Sequence, residues 1–145
     1  MKIAEILSIV GWALVLLAVA MLATAFTGLA YQEYEACKVF LFSAFITAFT
    51  SGLLILFSRG HVPHGSKREN VASVIGIWLF LPLFAALPIF MSGSVSTPID
   101  AYFESISGLT TTGATVINSL EDKTHALLLW RSITQLLGGI ATVVF

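Results

Sequence analysis

The sequence predicts an all-α integral membrane protein, built as an N-terminal helical hairpin followed by one repeat of helix, re-entrant loop and helix. Three observations carry that prediction. Hydrophobic residues make up 57% of the 145 positions and charged residues only 10%, an apolar share above that of ordinary soluble domains. Three uncharged runs, Ile6–Gln32, Val39–Ser58 and Val71–Ile99, each reach the length of about 20 residues with which a helix crosses the hydrocarbon core. Beyond them, from Thr97 to Thr115, the pattern changes to a short amphipathic helix and a Thr/Gly segment that do not form a span. The lipid bilayer is therefore the first partner implied. The net charge of −1 leaves no basic face for nucleic-acid phosphates, and the single cysteine, Cys37, reads as packing.

The first run follows Lys2 and ends near Ala23-Thr24-Ala25, a combination that resembles a secretory signal. Its apolar stretch exceeds the roughly 7–15 residues of a signal core, however, and the spanning reading is preferred. With the second run it forms the hairpin, 1–58, turning through the polar residues Gln32 to Lys38. The connection 59–70 carries Arg59, Lys67 and Arg68 and, with Lys2, is assigned to the cytoplasm by the positive-inside rule. Lys38, Lys123 and Arg131 fall on the other side, four basic residues against three, so clustering in the loop decides the orientation. The expectation is a multi-pass membrane protein with a cytoplasmic N-terminus. His61 and His64 are two imidazoles with no cysteine nearby, a poor metal shell, and read as a solvated turn. The third helix is placed at 71–91, with Pro82 and Pro88 inside it. Each removes a backbone bond that lipid cannot replace, which predicts a kink satisfied by neighbouring helices. Ser92 to Thr97 closes it.

Thr97 then supplies a cap, Pro98 the first helical position and Asp100 an acid in the first turn. Ile99, Tyr102, Phe103 and Ile106 share one face at helical spacing, while Asp100, Glu104 and Ser107 share the other. The helix, 98–107, reaches roughly 15 Å, half the hydrocarbon thickness, and Gly108 reads as its stop. Thr110-Thr111-Thr112-Gly113-Ala114-Thr115 follows, β-branched residues interrupted by glycine, which favour extended backbone. Alone, this stretch also fits an exposed Thr-rich loop. At membrane depth, non-helical backbone persists only where it is buried in protein or lines a water-filled cavity. The order of parts, with a last helix at 125–145, is that of a channel repeat: filter carbonyls at 110–115 turned toward a dehydrated cation, and a short helix aiming its negative end at it.

The runs Asp100-Ala101-Tyr102-Phe103-Glu104-Ser105 and Ser107-Gly108-Leu109-Thr110-Thr111-Thr112-Gly113-Ala114-Thr115, with Trp130-Arg131-Ser132 and Gln135-Leu136-Leu137-Gly138-Gly139, resemble the Trk/Ktr superfamily of potassium transporters. The N-terminal helix pair is similar to that of its Trk-type, TrkH-like subunits. The resemblance implies a potassium-channel-like fold of four such repeats around one conduction path. Potassium is the transported ion, with no covalently bound cofactor, and filter carbonyls fall on Thr111, Thr112 and Gly113. Thr110, Ala114, Thr115 and Glu104 are expected to support them. A glycine at the position of Gly113 implies potassium rather than sodium selectivity. The resemblance further implies a homodimer gated by a cytosolic nucleotide-binding subunit. Only one repeat is present, so the fold is expected to be truncated in its last helix, with the remaining repeats beyond Phe145.

Arg131, one turn into that last helix, is expected to form a structural ion pair with Glu104 or to meet the backbone at the base of the loop; the alternative is an arginine that reaches for the headgroups. Gly138-Gly139 reads as close helix packing. Trp12, Trp78 and Trp130 read as interface or packing residues rather than a ligand cage. No phosphate-binding loop, nucleophile and base pair or metal cluster supports an enzyme. Potassium uptake, passive or as symport, is the leading function. A Ktr-type sodium-dependent subunit and a small non-transporting membrane assembly protein are the alternatives.

Overall fold

A computed structural model describes residues 3–58 and 67–144, so Arg59, His61 and His64 lie outside the described residues. The fold is all-helical, with no strand among the described residues. Helix α1 spans Ile3–Ala30 and α2 spans Tyr34–Ser58. Between them Gln32 adopts a left-handed conformation, φ 60°, and the Glu33 amide closes back on the Gly28 carbonyl at 2.8 Å. The chain reverses in three residues. Helix α3 covers Lys67–Met91, α4 Pro98–Leu109 and α5 His125–Val144, with one 3-10 turn at Leu120–Asp122. The segments Ile6–Ala30, Tyr34–Ser58 and Val74–Met91 are long and apolar enough to cross a membrane.

Helix α1 is the central element, packed against α2, α3 and α5. Its Leu14, Leu17 and Met21 are buried with Phe40 of α2, Ile89 of α3, and Leu127 and Trp130 of α5. In a bilayer these contacts cannot be driven by exclusion of water, because lipid is as apolar as leucine; close packing and hydrogen bonds hold the helices instead. Trp130 does both. It meets Phe40 edge to face, ring centroids 5.7 Å apart, and its indole N–H donates to the Ala85 carbonyl at 3.1 Å. Trp12, by contrast, is 62% exposed on the outside of α1. Helix α3 continues through Pro82 and Pro88, both fully buried. The Trp130 indole supplies a donor to α3 between the two prolines.

Buried hydroxyls line the α1–α2 contact, and each is satisfied within its own helix. Thr24 donates to the Ala20 carbonyl at 2.9 Å, Ser43 to Val39 at 2.8 Å and Thr47 to Ser43 at 2.7 Å. Sulfur adds to the contact, with Thr47 Oγ1 3.6 Å from Met21 Sδ of α1, while Ser43 Oγ lies 3.8 Å from Met91 Sδ of α3.

Two sequence expectations for α4 need correction. The helix runs to Leu109 with Thr110 as its cap, two residues beyond the predicted end at 107. Gly108 is not a stop; it lies within the helix, at a point where a side chain would stand only 2.7 Å from Thr134 Oγ1 of α5. Of the two faces, the polar one is buried. Ala101, Glu104, Ser105, Ser107, Gly108 and Leu109 are buried, while Ile99 and Phe103 are 78% and 45% exposed. Small and polar residues make the close helix contacts, and apolar residues face outward, as expected where the surroundings are lipid or further protein.

Candidate functional site

The loop after α4 is set by both ends of that helix. Thr97 caps its start, its hydroxyl accepting from the Asp100 amide at 3.1 Å and donating to Asp100 Oδ2 at 2.8 Å, with Pro98 at the first helical position. At the other end the chain folds back on the helix C-terminus. The amides of Thr110, Thr111, Thr112 and Gly113 donate to the carbonyls of Ile106, Gly108, Ser107 and Ser107, at 2.8, 2.9, 3.0 and 3.3 Å. All four amides are thereby consumed by the negative end of the helix. No described residue donates a hydrogen bond to the carbonyls of Thr111, Thr112 or Gly113.

The loop is not the extended strand expected from its β-branched residues. Thr111 and Gly113 both lie in the left-handed region, at φ 58° and 75°, with Thr112 between them outside it. For glycine that conformation is free; for a β-branched threonine it costs on the order of 1–3 kcal/mol and persists only where the surroundings impose it. They do so here: Thr110 and Thr112 hydroxyls lie 2.8 Å apart, Thr110 Oγ1 donates to Ile106 O at 2.7 Å, and Ser107 Oγ donates to the Ala114 carbonyl at 2.6 Å. Thr110 to Val116 are all exposed in this chain, so the loop faces outward from the core.

Glu104 anchors the outgoing limb. Its Oε2 accepts from Thr115 Oγ1 at 3.1 Å and from the Val116 amide at 3.0 Å. Its Oε1 lies 2.6 Å from Arg131 Nη2, making Glu104 one of the two partners anticipated for that arginine. The Glu104 side chain is fully buried and that of Arg131 is 16% exposed. The carboxylate thus meets the loop with one oxygen and the guanidinium with the other. Helix α5 also supports the incoming limb: a Cβ on Gly138 would collide with the Leu109 carbonyl, whereas one on Gly139 would stand 3.8 Å from the Thr111 methyl. Gln135 Nε2 would lie 3.8 Å from a Cβ on Gly113.

A further contact was not legible in the sequence. Glu33, in the hairpin turn, caps α5 from 92 residues away: Oε1 accepts from the His125 amide at 2.8 Å and lies 2.9 Å from His125 Nδ1, and Oε2 accepts from the Ala126 amide at 3.1 Å. The Tyr31 ring stacks on His125 with centroids 4.2 Å apart. The available signal was negative, an α5 with no acid in its own first turn. Burial raises the pKa of Glu33, but the hydrogen bonds from His125 and Ala126 and the nearby imidazole outweigh it and leave the carboxyl below its ordinary value of 4.5. The stabilisation is therefore complete above that ordinary value and is lost as pH falls through the depressed one. Glu33→Ala is expected to cost about 1 kcal/mol at neutral pH, the usual weight of a helix cap. Thermal unfolding in detergent across acid pH checks this, the variant showing a flatter decline below pH 4.5 than the parent.

Comparison with known proteins places these features in context. The TrkH family model, described as a cation transport protein, matches residues 35–145. The Trk system potassium uptake protein TrkH of Vibrio parahaemolyticus is 34% identical over 99% of this chain, and that of Escherichia coli K12 is 33% identical over the same share. The chain spans about 30% of the length of these curated relatives. The TrkI protein of Halomonas elongata is 42% identical over 46% of the chain and 14% of its own length. The crystal structure of the potassium transporter TrkH from Vibrio parahaemolyticus superposes with a TM-score of 0.91 at 34% identity, covering 99% of this chain and 31% of that one. These relatives are membrane transporters, not enzymes.

Proposed function

This chain belongs to the TrkH family of cation transport proteins, and from that premise we propose that it contributes one selectivity-filter loop to a potassium uptake pathway. The carbonyls of Thr111, Thr112 and Gly113 take the place of the ion's water shell, potassium being substrate, and no cofactor takes part. One observation carries the reading. Every amide of the loop apex is turned back onto the helix C-terminus, while the carbonyls are left without donors on an exposed face. Such backbone is tolerated at membrane depth where it lines a water-filled cavity, and its carbonyls can there replace a cation's hydration shell. Thr110, Ala114 and Thr115 hold its shape through the bonds to Ile106, Ser107 and Glu104.

The named activity of the relatives supports potassium as the ion. Resemblance to the Trk type supports a bacterial inner-membrane protein, homodimeric and regulated by a cytosolic nucleotide-binding subunit. Helix α5 starts at the end of the bundle that holds the α1–α2 turn, where Glu33 caps it, and the loop enters from that end to rest against Gly138 and Gly139 further along α5. A cytoplasmic N-terminus then puts the loop on the outer side, where an entering ion is selected.

Gly113→Ser tests the assignment in the natural gene product that carries this segment. Serine must adopt φ near 75°, at a cost of about 1–2 kcal/mol, so the apex distorts while the spans insert unchanged. Potassium over sodium discrimination in flux assays is expected to fall. Unchanged ion preference in a normally inserted variant would remove the filter role.

A further inference from the structure

Behind the loop one carboxylate links two elements. Glu104 Oε2 receives both the Thr115 hydroxyl and the Val116 amide of the outgoing limb, while Oε1 lies against Arg131 of α5. Glu104 is fully buried, and a buried ion pair is seldom the most stabilising choice for such a position, since apolar residues of similar volume often serve as well or better. What an apolar side chain cannot do is accept two directed bonds from the loop and at the same time bind a cationic side chain on the next helix. The incoming limb meets the same helix differently, through the backbone contact of Leu109 on Gly138 and the approach of Thr111 to Gly139. Both limbs thus refer their positions to α5.

We infer that Glu104 is a positioning residue which, paired with Arg131, fixes the outgoing limb to α5, so that the placement of that helix sets the spacing of the filter carbonyls and with it the ion preference. The inference rests on the filter reading above and assigns the means by which that filter is held. A displacement of α5 is transmitted to Thr115 and Val116 through two short contacts rather than through the packing of the core. The carboxylate itself does not touch the ion.

The test uses the natural gene product in proteoliposomes, with potassium and sodium influx measured in parallel. Thr115 is exposed, so Thr115→Val removes the hydroxyl while keeping shape and leaving folding intact. It is expected to change the potassium to sodium influx ratio by about 5- to 30-fold, since the bond to Glu104 Oε2 and the one accepted from the Ile117 amide are lost together, and Thr115→Ser is expected to rescue it. Glu104→Gln should shift the ratio in the same direction, and the Glu104→Gln/Thr115→Val double variant should shift it by less than the two singles combined, because both weaken the contact of Thr115 with Glu104. A silent Thr115→Val, a failure of Thr115→Ser to rescue, or additive effects in the double would overturn the inference. If Glu104→Gln does not accumulate as folded protein, the two Thr115 variants decide. Gly113→Ser run alongside separates the failures: a shift there with Thr115→Val silent removes only the Glu104 link, and silence in both removes the filter reading as well.

Discussion

Gly138→Ala is expected to abolish the native contact of α5 with the base of the loop. The added methyl would occupy the space of the Leu109 carbonyl, with the Leu109 carbonyl carbon and Cα also within 3 Å of it. The obstacle is backbone on both sides, so no rotamer change relieves it. Overpacking a well-packed core costs about 1–3 kcal/mol and occasionally more. With two helix backbones forced apart, the upper end, about 3 kcal/mol, is the expected loss. The neighbouring residue supplies the control. A methyl on Gly139 would find ordinary contact with Thr111 at 3.8 Å, and Gly139→Ala should be nearly silent. Thermal stability of the detergent-purified variants distinguishes them; equal stability of the two would contradict the close crossing of α4 and α5.

Arg131→Met should be of comparable severity for a different reason. It removes the charge beside Glu104 and leaves a fully buried carboxylate with one oxygen that receives no hydrogen bond. Breaking a buried pair from one side costs about 3–5 kcal/mol, whereas replacing both partners by uncharged groups of similar size is often close to neutral. The Glu104→Gln/Arg131→Met double variant is therefore expected to recover most of the stability lost by Arg131→Met. An additive, still lower stability in the double would show that the two side chains act independently. The exposure of Arg131, 16%, argues against an arginine that merely reaches for headgroups, and its contact distance of 2.6 Å makes the pair the direct one.

The spans were legible because length and absence of charge are sufficient for a membrane helix, and the all-helical fold class follows from them. The start of α4 was equally legible, since Thr97, Pro98 and Asp100 act locally. The loop residues were visible as a break in helical pattern, but their conformation was not. Threonines suggest extended backbone, yet Thr111 is driven into the left-handed region by bonds that depend on the fold. The two faces of α4 were legible from spacing, but not which of them packs: Ile99 and Phe103 point away from this chain and Glu104 points into it. Gly108 was misread for a related reason: a glycine ends a helix in water, but between membrane helices it marks where another backbone or side chain comes close. The Glu33 cap joins positions 92 residues apart, a separation over which no periodicity reports.

The hydroxyls between α1 and α2 bear on how the chain enters the bilayer. Thr24, Ser43 and Thr47 each bond a carbonyl one turn earlier in their own helix, so either segment can cross into oil alone with these three hydroxyls already matched. Joining the two then exchanges no hydrogen bonds. What aligns them is the softer fit of Met21 sulfur to Thr47, a contact weak enough to be made and remade while the partners slide. Insertion and docking can accordingly occur at separate moments of biogenesis, the hairpin waiting in the lipid until the later helix that Glu33 caps has been synthesised.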